Sequence, residues 1–293
     1  MGTIASEPTA AALGLFDGVH LGHRRVLALA RAQAANGLKP CAFTFEAESI
    51  ATKQGTALEY LYPTAQKCSL LKECGMERVY HPPFAQIREM DGEEFVQKIL
   101  LHRFSAQYVC CGEDFRFGRN AAWNVQDLQN FGAQYGFAVE IAEDVCADGQ
   151  RVSSTRIRQL LQNGEIGQAN ALLGAPYTIV QTVTHGAQLG RTIGFPTINQ
   201  VFAEGQLVPK FGVYASETDV DGVIYPSLTN VGRKPTVQYD GMPLAETYLI
   251  GFAGDLYGKR LPVSLRRFLR PEMKFDSVEA LTAQMQRDLQ ECQ

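Results

Sequence analysis

The chain has 293 residues, of which 45% are hydrophobic and 20% charged, and its net charge is −4. This is the composition of a globular protein long enough for two domains, and it argues against a disordered or membrane-spanning chain. The negative charge also argues against wholesale nucleic-acid binding, which depends on neutralising many phosphates. Seven irregularly spaced cysteines and the lack of a signal-peptide pattern predict a reduced, cytoplasmic protein.

The first half of the chain alternates short apolar runs with helix-like stretches. The apolar runs are predicted strands and occupy residues 10–13, 41–45, 78–80, 108–111 and 137–141. Asp91 and Glu94 form a capping box, and Thr64 is predicted to cap a helix that Gly75 ends. Strands that alternate with helices predict a parallel, Rossmann-like sheet that binds ligands at the carboxyl ends of its strands.

A glycine-rich turn follows the first predicted strand. Residues 14–23 read Gly-Leu-Phe-Asp-Gly-Val-His-Leu-Gly-His and precede an amphipathic stretch over residues 24–35. The start of this helix offers free N–H groups and a positive dipole end, and His20 and His23 lie where a triphosphate would bind. The two histidines could instead be metal ligands or a helix cap, although no nearby carboxylate is spaced to complete a zinc site.

A second cluster of phosphate-binding groups opens another predicted helix, which runs from Ser154 to about Leu173. Residues 151–158 read Arg-Val-Ser-Ser-Thr-Arg-Ile-Arg, with hydroxyl caps and three arginines close together. These groups would hold phosphates from the side opposite to the histidines.

After Leu173 the pattern changes to short β-rich runs separated by Gly, Pro, Asn and Asp. The runs occupy residues 177–183, 212–217, 223–231, 246–252 and 260–265. They predict a small antiparallel barrel, and hence two domains, residues 1–172 and 173–293. A terminal helix over residues 276–290 carries an apolar stripe that is expected to pack on the barrel. Its members are Val278, Leu281, Met285 and Leu289.

A glycine loop within this second part leads into a pair of oxygen-bearing side chains. Gly190 and Gly194 would let backbone N–H groups approach phosphate oxygens, and Arg191 supplies a fork-shaped donor. Thr197 and Asn199 lie two apart in a strand-like segment, so both point to one face and could reach one hard cation or its waters. A glycine hairpin with no ligand explains this loop alone about equally well.

Separated motifs in the second part resemble, in order and spacing, the bacterial riboflavin kinases. They are residues 212–214, 229–236, 246–248, 256–258 and 269–275. In the first part, the His-x-Gly-His and Ser-Ser-Thr motifs resemble those of nucleotidylyltransferases, and with residues 111–118 between them this half is similar to the FAD synthetase module. The order of the two halves resembles the bifunctional riboflavin kinase/FAD synthetases over nearly the full chain.

The resemblance implies an α/β protein in which a Rossmann-like nucleotidylyltransferase domain precedes a riboflavin-kinase barrel. It implies phosphorylation of riboflavin to FMN and adenylylation of FMN to FAD, with ATP as co-substrate and Mg²⁺ as cofactor. It implies catalytic roles for Glu246, His20 and His23, and metal binding by Thr197 and Asn199. The implied ATP or phosphate ligands are Gly14, Phe16, Asp17, Gly22, Arg151, Ser154, Thr155, Arg158, Gly190, Arg191 and Gly194, and the implied flavin ligands are Asp114, Phe115, Phe117, Asn230 and Arg270.

The two reactions make different chemical demands. A primary alcohol is a poor nucleophile, so the kinase needs a carboxylate to accept its proton, and Glu246 is the candidate because the family's catalytic glutamate lies in this Glu-Thr motif. Strand position alone would favour a surface glutamate. The phosphate of FMN is already anionic, so adenylylation requires alignment and charge stabilisation, to which His20 and His23 are suited.

Two departures from the family pattern concern the first half. Leu15 stands where a small polar residue is usual, and residues 45–49 read Phe-Glu-Ala-Glu-Ser where Phe-Glu-Pro-His-Pro is common, so an imidazole is missing. One alternative is therefore a riboflavin kinase whose first half acts on another acceptor or on none. Another is a flavin- or nucleotide-sensing or RNA-binding regulator, against which Thr197, Asn199 and Glu246 argue. The sequence does not predict an oligomeric state.

Overall fold

The structure is a computed structural model that describes residues 7–50, 59–185, 194–233 and 241–292. The chain divides into two compact units, Met1–Ser154 and Thr155–Gln293, each with its own main sheet. The domain boundary expected near Leu173 stays a prediction. Within the described ranges, no helix combines the length and the hydropathy needed to cross a bilayer. All seven cysteines are free thiols.

The first unit is built on a five-stranded parallel sheet with the spatial order β3-β2-β1-β4-β5. The strands are β1 (Thr9–Leu13), β2 (Lys39–Phe43), β3 (Arg78–Tyr80), β4 (Ala106–Gly112) and β5 (Ala138–Ala142). This order is that of a doubly wound fold, and it reverses between β1 and β4, where ligands of such folds bind. The predicted parallel, Rossmann-like sheet is confirmed.

Helices and a small hairpin complete this unit. The helices are α1 (Leu21–Ala32), α2 (Thr64–Glu73), α3 (Gly92–Phe95), which continues as a π-helical segment (Val96–Arg103), and α4 (Val125–Tyr135). Short 3₁₀ turns lie at Gln33–Asn36, Ala47–Ser49, Phe84–Gln86 and Arg119–Ala121, and the hairpin pairs β6 (Cys146–Ala147) with β7 (Gln150–Arg151). The capping box of Asp91 and Glu94 at the start of α3 is confirmed.

The sheet is buried on both of its faces, as a parallel sheet requires. Alternate residues of β1 contribute to two different cores, with Ala11 and Leu13 on one face and Ala10 and Ala12 on the other. The first core includes α3, its π-helical extension and α4, whereas the second includes α1 and α2. Both faces of the sheet are therefore covered by helices, so a ligand can reach the sheet only at the ends of its strands.

The predicted cap of α2 is wrong in its detail. Thr64 is the first residue of the helix, and its hydroxyl accepts a hydrogen bond from the Ala47 N–H at 2.8 Å. A hydrogen-bond acceptor for the N-terminus of the helix is instead supplied by Glu48. Its carboxylate accepts from the Thr64 backbone N–H at 2.9 Å and also from the Thr64 hydroxyl. This partner is sixteen residues away, so no local pattern could reveal it.

The second unit contains a six-stranded antiparallel sheet with the spatial order β8-β13-β10-β11-β12-β9. The strands are β8 (Tyr177–Thr182), β9 (Thr197–Val201), β10 (Gly212–Val220), β11 (Val223–Arg233), β12 (Pro243–Leu249) and β13 (Arg260–Arg270). The backbone N–H of Thr184, just beyond β8, donates to the Asn199 carbonyl of β9 at 2.8 Å. The two edge strands therefore meet, and the predicted small antiparallel barrel is confirmed.

Polar side chains hold the inside of this sheet together. The hydroxyl of Thr229 lies 2.8 Å from that of Ser216 and 2.8 Å from that of Thr247, and all three residues are buried. At the closing edge, the buried amide of Gln200 donates to the carbonyls of Gln181 at 2.7 Å and Leu261 at 2.8 Å. These hydrogen bonds hold β9, β11 and β12 in one register. The side chains on the other face of these strands are therefore aligned as well.

The helix expected from Ser154 to about Leu173 is two helices. They are α5 (Ser154–Asn163) and α6 (Ile166–Leu173). Gly164 lies between them with φ +82°, a left-handed conformation that ends the first helix. A glycine within an apolar periodic pattern gave only a weak signal for this break.

The terminal helix α7 (Val278–Gln290) is tied to β13 by a largely buried ion pair. Val278 is 55% exposed, and the rest of the stripe is only half-buried. The buried residue of this helix is Asp288, which receives hydrogen bonds from Arg270 Nη2 at 2.7 Å and Nε at 3.0 Å. The Arg270–Asp288 pair therefore ties the helix to β13, and the packing of the apolar stripe on the barrel stays a prediction.

We expect Asp288→Asn to lower the free energy of unfolding of the second unit by about 2 kcal/mol, because it leaves the Arg270 charge largely buried without its partner. Urea titration measures this change. Asp276→Asn, an exposed position just before the same helix, is the matched control and should stay within about 0.5 kcal/mol of the unaltered protein. Equal effects of the two substitutions would show that the pair does not anchor α7.

Candidate active sites

The β1–α1 turn, residues 14–20, leaves the carboxyl end of β1 along an unusual backbone path. Phe16 (φ +50°), Gly18 (φ +86°) and Val19 (φ +44°) all adopt left-handed conformations. For a β-branched residue such as Val19 this conformation is strained, and it persists only where surrounding contacts hold it. Phe16 and Val19 are both buried in the core, which anchors the turn.

His20 and His23 are brought together at the end of this turn. Their rings stack with centroids 3.6 Å apart, and His20 Nδ1 accepts a hydrogen bond from the His23 backbone N–H at 3.3 Å. His20 therefore caps α1 through its Nδ1 atom, which leaves Nε2 for other contacts. Gly22 favours this arrangement, because a Cβ there would lie 3.2 Å from the His20 ring and would push the ring aside slightly.

The His23 imidazole is neutral at ordinary pH. Burial lowers the pKa of His23 well below its usual value, and nearby His20, Lys67 and Arg151 act in the same direction. Its Nδ1 atom is buried and has no hydrogen-bond partner among the described residues. Because buried polar atoms are nearly always paired, this nitrogen is suited to meet a polar group of a ligand.

Asp17 and Ser154, two further predicted phosphate ligands, hold the turn from both sides. The Asp17 carboxylate accepts from the Leu61 backbone N–H at 2.8 Å, and its carbonyl accepts from the Ser154 hydroxyl at 2.8 Å. Both side chains thus have structural partners beside the histidines. Thr155 and Arg158 follow on α5 in the second compact unit, and their place at this site stays a prediction.

Arg151 lies between two carboxylates. Its Nη1 is 2.9 Å from Asp114 and its Nε is 2.8 Å from Asp144. The structure thus joins a predicted phosphate ligand to a predicted flavin ligand, Asp114. These pairs satisfy two sides of the guanidinium, so a phosphate would have to compete with a carboxylate or share the group with it.

The two aromatic residues predicted to bind flavin differ in exposure. Phe117 is 5% exposed and lies in the core with Phe95 and Trp123, as the majority of aromatic side chains do. The Phe115 ring stacks on Phe117 at 5.9 Å and is only partly buried. Of the two, Phe115 therefore has the ring surface that a flavin could contact.

The second candidate site is a row of polar residues across three strands. In the register of the sheet, Asn199 of β9 faces Glu246 of β12, which faces Asn230 of β11. Directly opposed residues share one face of a sheet, with Cβ atoms about 5 Å apart. We call these three residues the polar row. It joins residues predicted for metal binding, catalysis and flavin binding, which are separated by up to 47 positions in sequence.

Thr197 lies on the same face, two residues before Asn199, and is opposed by Tyr248. Mg²⁺ binds few protein groups and keeps several waters and substrate phosphates. The carboxylate of Glu246, the amide of Asn199 and the hydroxyl of Thr197 match this coordination preference. By contrast, no cluster of three or more His, Cys, Asp or Glu side chains able to hold a metal occurs within the described residues.

Glu272 is a site neighbour that the sequence analysis did not assign. Its carboxylate accepts a hydrogen bond from Asn230 Nδ2 at 3.3 Å and lies against Gly232, where a Cβ would force it to move. This contact helps to fix the orientation of the Asn230 amide. No local pattern indicates this contact, because Glu272 follows β13 and approaches β11 only in the folded unit.

The remaining predicted ligands of this half have other surroundings. Arg270, predicted to bind flavin, is committed to Asp288 and to the Pro271 carbonyl at 3.1 Å. Gly194 is exposed with φ +85°. Gly190 and Arg191 lie outside the described residues.

Comparison with known proteins identifies both halves. A family model described as FAD synthetase matches residues 3–156, and one described as riboflavin kinase matches residues 173–293. A bifunctional riboflavin kinase/FMN adenylyltransferase of Pseudomonas fluorescens is 37% identical, over 95% of this chain and 90% of its own. The Escherichia coli K12 enzyme of the same name is 36% identical, over 94% and 89%.

A solved structure supports the fold over the whole chain. It is a crystal structure from Streptococcus pneumoniae named as a macrolide-efflux protein, with a TM-score of 0.84, 29% identity and coverage of 98% of this chain and 94% of that one. Two family models in the predicted order, together with relatives at 36–37% identity over nearly the full length, show that the chain belongs to the bifunctional riboflavin kinase/FMN adenylyltransferases.

Proposed function

We propose that the second unit phosphorylates riboflavin to FMN at the polar row, and that the first unit transfers AMP from ATP to FMN at the β1–α1 turn, forming FAD and pyrophosphate. The polar row is the observation that supports this proposal most strongly. Its three residues were predicted for different roles from separate motifs, and they are direct neighbours in the sheet. A regulator that only senses flavin needs no proton acceptor there.

In the kinase reaction, Glu246 accepts the proton of the riboflavin 5′-hydroxyl as its oxygen attacks the γ-phosphorus of ATP and ADP leaves. Asn230, held by Glu272, orients the flavin beside this carboxylate. Thr197 and Asn199 would hold Mg²⁺, which supplies neutralisation of the phosphate charge when it is bound.

In the adenylyl transfer, a phosphate oxygen of FMN attacks the α-phosphorus of ATP and pyrophosphate leaves. Because His20 Nδ1 accepts a hydrogen bond, the neutral His20 ring carries its proton on Nε2 and can donate it to a phosphate oxygen. The neutral His23 ring likewise has one N–H to offer, and bound phosphate favours its protonation. Phe115 is the proposed stacking surface for FMN.

The two departures from the family pattern do not remove these contacts. The Leu15 side chain is 44% exposed, and the fold uses the carbonyl oxygen of this residue instead, which any amino acid supplies. Glu48 binds the first residue of α2. Both positions thus have structural roles, which supports the proposal that adenylyl transfer does not depend on the family's usual residues there. The cytoplasmic location, the absence of nucleic-acid binding and the role of Mg²⁺ stay predictions.

We expect Glu246→Gln to lower kcat of riboflavin phosphorylation about a hundredfold or more, because the amide cannot accept the proton. Flavin binding should remain measurable by fluorescence. Glu217→Gln, which breaks only a surface ion pair with Arg266 on β13, is the matched control. A Glu246→Gln enzyme with near-normal kcat would exclude Glu246 as the base.

For the metal ligands, Asn199→Ala and Thr197→Ala should raise the Mg²⁺ concentration that gives half-maximal kinase activity about tenfold. Titration of Mg²⁺ at saturating ATP measures this change. FMN adenylylation, assayed in the same samples, should be little affected. Equal loss of both activities would argue against separate sites.

His23→Ala should lower FMN adenylylation at least about tenfold, the scale of one oriented, charge-assisted contact, while kinase activity persists. The assay supplies FMN, ATP and Mg²⁺ directly and follows FAD and pyrophosphate. His102→Ala, an exposed histidine at the end of the π-helical segment, is the control. An unaltered protein that makes FMN but no FAD would leave a kinase with a repurposed first half.

A further inference from the structure

Lys67 of α2 is almost completely buried, with 1% of the residue exposed. Lysine is very seldom buried unless it is paired, because removing an ammonium group from water is costly. Accordingly, burial lowers the pKa of Lys67, although Asp17, Cys68 and Glu48 oppose the effect. A fold that keeps this residue inside needs a reason for it.

The Lys67 ammonium bonds to the ends of two strands. It donates to the Phe45 carbonyl at 2.7 Å, the Thr44 hydroxyl at 3.1 Å and the Leu15 carbonyl at 3.2 Å. The Thr44 hydroxyl in turn donates to the Leu15 carbonyl at 2.7 Å. All three ammonium hydrogens are used, and together they tie the β1–α1 turn to the segment that follows β2.

The charge of Lys67 has no contacting counter-ion. Its three partners are neutral, and in the described part of the chain it takes part in no ion pair. The carboxylate of Asp17 is committed to the Leu61 N–H, and that of Glu48 to Thr64. These carboxylates attract the charge through space, and the ammonium itself lies at the carboxyl ends of β1 and β2, where it can also act on a bound ligand.

We propose that Lys67 is a positioning residue for adenylyl transfer, which fixes the strained β1–α1 turn through the Leu15 carbonyl and directs a buried positive charge toward the triphosphate of ATP. This inference rests on the proposed ATP site at the turn. Two observations support it. The turn holds Phe16 and Val19 in conformations that need support from surrounding groups. One of the supporting groups is the Lys67 ammonium, a positive charge beside the proposed binding site of an anion.

The test compares Lys67→Met with Lys72→Met, an exposed lysine on the same helix. Lys67→Met keeps the length of the side chain and removes the charge. We expect it to lower kcat/KM for ATP in FMN adenylylation about tenfold or more, while Lys72→Met and the riboflavin kinase activity of both variants stay within about twofold of the unaltered protein.

Binding measurements distinguish an effect of the Lys67 charge on ATP from an effect of Lys67 on the structure of the β1–α1 turn. Calorimetric titration should show that Lys67→Met weakens Mg·ATP about tenfold and adenosine less than twofold, and Lys67→Arg should restore most of the preference for Mg·ATP. Equal weakening of both ligands, or an unchanged ratio, would overturn the proposal. If the Met variant does not fold, Lys67→Gln, which keeps an amide donor for the carbonyls, takes its place in the comparison with Lys67→Arg.

The outcome is distinguishable from failure of the proposed function. An unaltered protein that makes no FAD from FMN and ATP would refute the adenylyl-transfer site itself. An unaltered protein that makes FAD, with Lys67→Met matching it in both rate and ATP affinity, would refute only the role of Lys67.

Discussion

The first unit depends on holding the β1–α1 turn in a backbone conformation that its residues do not prefer. Phe16 and Val19 both have positive φ, and each such residue costs free energy of order 1–3 kcal/mol. The cost is offset by burial of both side chains and by bonds from Lys67, Thr44 and Ser154 to the carbonyls of the turn. The stacked histidines at the end of the turn are positioned by this same set of contacts.

In the second unit the residues of the candidate site are positioned by strand register and not by a strained turn. Because facing residues of antiparallel strands share one side, fixing both the order β9, β12, β11 and the register between them aligns Asn199, Glu246 and Asn230. The buried hydroxyls of Ser216, Thr229 and Thr247 lie on the opposite face, where a one-residue slip would bury the polar row in their place. Register and chemistry are therefore specified together.

The sequence predicted what is local and missed what is distant. The strand–helix alternation, the capping box at Asp91 and the paired faces of Thr197 and Asn199 follow from spacing within a few residues, and motif order identified the family. The contacts of Glu48 with Thr64, Arg270 with Asp288 and Glu272 with Asn230 join residues 16 to 42 positions apart. No periodicity encodes such pairs, so the sequence did not indicate that Arg270, a predicted flavin ligand, also pairs with Asp288 of the terminal helix.

Departure from a family motif does not by itself predict loss of a contact, and the first unit gives the physical reason. A side chain can be exchanged freely where the fold uses the backbone of that residue, as it does at Leu15, whose carbonyl receives two hydrogen bonds while its side chain lies 44% exposed. At Glu48 a different group has taken a structural task, the satisfaction of the α2 N-terminus. The residues that cannot be exchanged so freely are those whose side chains fix that backbone. Lys67, a buried cation that donates to three neutral oxygens, is recognisable as one of them only once the strands that it joins are seen together.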